Sequence, residues 1–152
     1  MQLAHYLGLL HRAEEELASA YREIARAHAD DADVFHVCAM LAEECDAHAE
    51  RLGPFAARYG EEEPDEPERL HSELFGGARG GPLGLLRDLH DLYLMATECD
   101  IAWTLVEQAA QGARDEDLCG VVGGCEEETA NQLRWLRTRM KQAAPQVLVV
   151  AG

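Results

Sequence analysis

One carboxylate, one imidazole and one amide fall where a helical chain would place its core, with further carboxylates on the flanks. Glu14 stands between Leu10, Leu17 and Tyr21 on the apolar stripe of the first helical segment. His48 holds a stripe position in the second segment, and Glu44 lies one turn earlier on the same flank. In the fourth segment Gln132 is on the stripe, with Glu128 one turn before it. On the third, Asp100 and Glu107 ride the shoulder of the stripe, Glu107 reading as an edge residue, and the heptad turns Glu98 outward. A carboxylate buried without a partner is costly enough that it must take up a proton, meet a hydrogen-bond donor or bind a cation. For Glu14 the donors in prospect are Tyr21 and His48.

Four segments, divided at Gly and Pro, must position these groups. The first, about 2–29, carries Leu3, Leu7, Leu10, Glu14, Leu17, Tyr21, Ile24 and His28 in an unbroken 4-3 alternation, the signature of a packed helix. Asp30, Asp31 and Asp33 form an acidic turn suited to capping the second helix, about 31–59, whose stripe is Val34, Cys38, Leu41, Cys45, His48, Leu52 and Phe55. Gly53-Pro54 is expected to kink or loosen its last turn. The third helix, about 82–112, opens at Pro82, a favoured first-turn residue. It carries one stripe from Leu85 to Ala110 and a second of Leu94, Ile101 and Leu105, which predicts cover by the crossover or by another subunit. The fourth, about 115–144, is weakened in its first half by Gly120, Gly123 and Gly124, which close packing or a local distortion would explain. The tail from Gln146 is apolar but too short for a helix of its own and is expected to pack on the bundle.

Connection lengths predict an all-α four-helix bundle in one domain. Short turns make helices one and two, and helices three and four, antiparallel neighbours. The crossover, about 60–81, contains the acidic run Glu61–Glu66, read as a solvated loop, and room for a helical turn over Pro67–Phe75. Each helix is about 42 Å long at 1.5 Å per residue, and a crossover of this length reaches about 73 Å, so it can run the length of the bundle. Counted from the two tight turns, Glu14, Glu44, His48, Asp100 and Glu128 all come to mid-height.

Two antiparallel hairpins joined by one long crossover is the ferritin-like arrangement. The segments His11-Arg12-Ala13-Glu14-Glu15-Glu16-Leu17, Glu43 to Leu52 and Cys125-Glu126-Glu127-Glu128-Thr129 resemble the ligand helices of the ferritin-like superfamily, in its bacterial stress-response branch of the YciE/YciF type. The resemblance implies an iron or manganese centre with Glu14, Glu44, Glu128 and either Asp100 or Glu98 as carboxylate ligands and His48 as the nitrogen donor. It further implies oxidation of ferrous iron or consumption of peroxide in a stress or redox role. The chain departs from the superfamily's Glu-x-x-His: Cys45 stands three before His48, and the fourth helix offers Gln132 or Asn131 in place of a second histidine. Gln is a poor iron ligand, so one metal rather than two is an open alternative.

Composition narrows the field. Acidic residues number 29 against 13 Lys plus Arg, a formal charge of −16. That balance disfavours nucleic acid and anionic membranes as partners and suits cations. The run Val37–Ala42 is far too short to span a bilayer, and the first residues show no secretory pattern. Five cysteines without a CxxC pair read as reduced thiols of a cytoplasmic protein. Cys45, Cys99 and Cys125 with His48 give a zinc or copper alternative. No strand-associated nucleophile or phosphate loop points to a hydrolase or nucleotide-binding protein. A homodimer or larger homo-oligomer is expected through the back of helix three. The alternative to a metal centre is a helical interaction protein whose apolar stripe and tail recruit a partner.

Overall fold

The computed structural model describes residues 2–60 and 75–150. Among them are four long helices and no strand: α1 (Gln2–Ala27), α2 (Ala32–Tyr59), α3 (Gly81–Gly112) and α4 (Glu116–Pro145). The expected stripes are the faces that pack together, with Leu7, Leu10, Leu17, Ile24, Leu52, Leu89, Leu92, Trp103, Leu118 and Leu136 out of solvent. Cross-helix pairings give the sense of each neighbour. His28 meets Asp88 while Glu14 meets Trp103, so α1 and α3 run antiparallel. Glu44 meets Gln132 and Arg58 meets Asp115, so α2 and α4 do as well. Gly60 and Phe75 therefore lie at opposite ends of the bundle, and the Glu61–Glu66 run and most of the Pro67–Phe75 stretch fall outside the described residues.

α2 ends at Tyr59, where the sequence placed its end, with Pro54 inside it. Other local expectations change. Asp31 is the N-cap residue of α2 but its carboxylate caps nothing. Asp31 and Asp33 instead face Arg139 of α4, which donates to Asp33 at 2.7 Å. Beyond Pro145 the tail forms one π-helical turn, Gln146–Val150, which contacts α3 as well as α4 and leaves Leu148, Val149 and Val150 exposed. The second stripe of α3 also stays open among the described residues, Leu94 at 37%, Ile101 at 53% and Leu105 at 49%. A Cβ at Gly124 would come within 3.3 Å of the Arg51 guanidinium, the movable end of that side chain, and Gly120 and Gly123 face open space, so packing requires none of the three glycines.

A buried aspartate locks each end of the bundle. At one end Asp88 accepts from His28 Nε2 (2.8 Å), from the Arg79 backbone N–H (2.9 Å) and from the Arg79 guanidinium (2.9 Å), which also reaches Asp91. Gly84 permits this, because a Cβ would lie 2.8 Å from the Arg79 backbone. At the other end Asp115 caps α4 by accepting from Leu118 N–H at 3.0 Å, and also accepts from Arg58 (2.8 Å) and Tyr59 (2.6 Å). The Tyr59 hydroxyl and the Leu118 amide hold the Asp115 carboxyl down at about 2 from its ordinary 3.8. A depressed carboxyl contributes stability above its unfolded pKa and loses it as pH falls through the folded one. Asp115→Ala should therefore cost about 1–2 kcal/mol at neutral pH. In urea titrations the difference from wild type should hold above about pH 4 and close between about pH 4 and about pH 2.

Candidate metal centre

The stripe that packs the bundle also delivers polar groups to its middle. Glu14 on α1 and His48 on α2 are each 1% exposed in their side chains, with His48 Nδ1 at 3.4 Å from Glu14 Oε1. On the other side of the ring, His48 Nε2 lies 3.6 Å from Glu128 Oε2 on α4, whose side chain is 41% exposed. Neither ring nitrogen of His48 nor Oε2 of Glu14 has a hydrogen bond of proper geometry among the described residues. Burial alone pulls the imidazole pKa down, but the carboxylates of Glu14, Glu128 and Glu44 outweigh it and the net shift is upward.

Trp103 supplies what α3 gives to this level. Its indole N–H donates to Glu14 Oε1 at 2.8 Å, and its ring meets the His48 ring edge-on at 5.8 Å between centroids. The expected donors to Glu14 were Tyr21 and His48. Tyr21 goes elsewhere, donating its hydroxyl to Gln132 Oε1 at 3.0 Å, and the Gln132 amide N–H donates onward to Glu44 Oε1 at 3.2 Å. Gln132 is thus engaged at both ends of its amide. Glu44 is half-buried; burial and the neighbouring Glu128 charge raise its pKa, against the Gln132 hydrogen bond and His48, which lower it.

The cluster brings together Glu14, Glu44, His48, Glu128 and Gln132. Asp100 belongs to a different group, where its charge, after burial and a hydrogen bond with Glu107, helps push Glu126 up to about 7. Glu107 is half-buried, as an edge residue of its helix would be. Glu98 is partly buried rather than turned outward. The core thiols surround the site without activation: burial pushes Cys45 and Cys99 well up and takes Cys38 and Cys125 to about 12. Among the described residues no three His, Cys, Asp or Glu side chains stand pre-arranged to hold a metal ion. The donors nonetheless fit a hard cation in kind, one imidazole among carboxylates with its nitrogens unbonded.

Sequence reasoning missed Trp103 as a donor because an indole satisfies an apolar stripe. It also missed the Asp88 network, although Asp88 lies three residues after Leu85 and four before Leu92 and His28 ends the α1 stripe, which are signals of burial. Comparison with family models, with curated proteins and with solved structures finds no match for this chain.

The indole bond to Glu14 is testable. Trp103→Phe keeps most of the ring volume but leaves a buried carboxylate oxygen short of its donor, at a cost of about 1–3 kcal/mol. Urea unfolding should show that loss, and it should vanish in a Glu14→Leu background, where no carboxylate remains to satisfy.

Proposed function

We propose that the chain is a ferritin-like metal-binding bundle whose core holds iron or manganese among Glu14, Glu44, His48 and Glu128. The observation that carries this reading is His48, buried to 1% with both ring nitrogens unbonded and three carboxylates around it. A neutral core histidine is normally satisfied by a specific acceptor and donor, whereas a histidine in a cation site keeps a nitrogen for the ion. The antiparallel pairing of α1 with α3 and of α2 with α4, with Gly60 and Phe75 at opposite ends, supports the two-hairpin topology of that superfamily. When bound, iron or manganese there would supply electron transfer to oxygen or peroxide, in keeping with a stress or redox role in the cytoplasm. The chain's own part is to present oxygen donors and one nitrogen while Trp103 and Gln132 hold the carboxylates in place.

Titration of the purified protein with Mn(II) or, anaerobically, Fe(II) should give saturable binding by calorimetry. His48→Ala should abolish it. Binding that survives that substitution unchanged would remove the reading.

The open face of α3 supports assembly as a homodimer. Leu94, Ile101 and Leu105 lie on one side of the helix and remain 37–53% exposed. Light scattering should give twice the chain mass, and Ile101→Glu should return it to one.

A further inference from the structure

We propose that the centre takes a single divalent cation, bound by His48 Nε2, Glu128 and Glu44 between α2 and α4, and that Glu14 is a positioning residue rather than a ligand. This rests on the metal-centre reading above. The two nitrogens of His48 face different carboxylates, Nδ1 toward Glu14 and Nε2 toward Glu128. An imidazole ligand gives one nitrogen to the metal and donates the other N–H to an acceptor, which fixes its tautomer and orientation.

The surroundings of the two acids decide which plays which part. Glu14 lies on the buried side of the ring, where its Oε1 accepts from the Trp103 indole N–H at 2.8 Å and faces His48 Nδ1 at 3.4 Å. A carboxylate anchored there by an indole is placed to orient the imidazole. Glu128 and Glu44 are partly open to solvent, where an ion arrives and water can complete its shell. Glu44 Oε1 is held by Gln132, leaving its second oxygen.

The same inventory limits the number of ions. A second ion needs its own donors, and three of the places from which they could come are already engaged. Trp103 stands at this level of α3, Asp100 lies with Glu107 and Glu126, and the Gln132 amide is committed to Tyr21 and Glu44. The amide N–H aimed at Glu44 is itself a positive end where a second cation would have to sit.

The test uses Mn(II) with the full chain, counting ions by native mass spectrometry and reading the bound ion by electron paramagnetic resonance. Wild type should hold one Mn(II) per chain with the spectrum of an isolated ion and nitrogen hyperfine coupling from His48. Glu128→Gln, at a partly exposed position that leaves the fold intact, should lose the ion, as should His48→Ala. Glu14→Gln should keep one ion, bound about 10–100-fold more weakly. The remote-nitrogen coupling should shift in that variant because the ring N–H no longer meets a charge, a change that a purely structural role would not produce. Two ions per chain, a coupled-pair spectrum, or loss of the ion in Glu14→Gln with Glu128→Gln still binding would overturn the assignment while leaving a metal centre standing. No ion bound by wild type would overturn both.

Discussion

Burying an acid and an imidazole side by side at the centre of a four-helix bundle constrains everything around them. Water is excluded from Glu14 and His48, so their charges and dipoles can be met only by protein groups or by a bound ion. The partners come from all four helices: Trp103 from α3 meets Glu14, Glu128 from α4 meets His48, and Tyr21 on α1 reaches Glu44 on α2 through Gln132 on α4. Breaking one side of such a buried pair costs about 3–5 kcal/mol, several times a typical surface contact. The four helices must therefore meet at one level, because a shift of even one turn, about 5.4 Å, would separate every pair at once.

Apolar stripes cannot set that level by themselves. Leucine and valine at heptad spacing pack nearly as well after a slide of one turn, since the next layer presents the same kind of surface. The two end networks choose among these alternatives. Asp88 ties α3 to the end of α1 through His28 and to the incoming chain through Arg79, and Asp115 ties the start of α4 to the end of α2. Each aspartate accepts from several directions, so a slide at either end would strand a buried carboxylate. The ends hold the register, and the register brings Glu14, His48 and Trp103 together.

The architecture was largely legible because periodicity reports burial directly. Glu14, His48 and Gln132 interrupt apolar stripes, and each is buried. Their partners were harder to read, since a stripe tells which side chains go inward and not which meet across the core. Trp103 counted as an apolar layer, although its N–H is the donor that Glu14 needs. Tyr21 lay one heptad from Glu14 on the same helix, yet its hydroxyl extends away from it to Gln132. Asp100 shared the height of the cluster but sits half-buried on the shoulder of α3, where its charge is felt at Glu126. Height follows from counting residues, whereas azimuth depends on how each helix is rotated against its neighbours.

The same packing decides what kind of ligand the interior can welcome. Four cysteines lie in the core, and burial holds their thiols in the protonated form, with the nearby carboxylate charge pushing the same way at Cys45 and Cys99. A protonated thiol is only a weak hydrogen-bond donor, so these sulfurs fill space as small apolar groups. Carboxylates and one imidazole are left as the available bases, and these favour hard divalent ions. The formal charge of −16 acts in the same direction at longer range, raising the local concentration of cations outside the α2–α4 face. Glu128 and Glu44 stand at that face with partial access to water, while Glu14 lies behind the imidazole and out of reach. For the proposed cation, donor chemistry, field and access thus converge on the solvent side of His48, and the buried side would orient the ring.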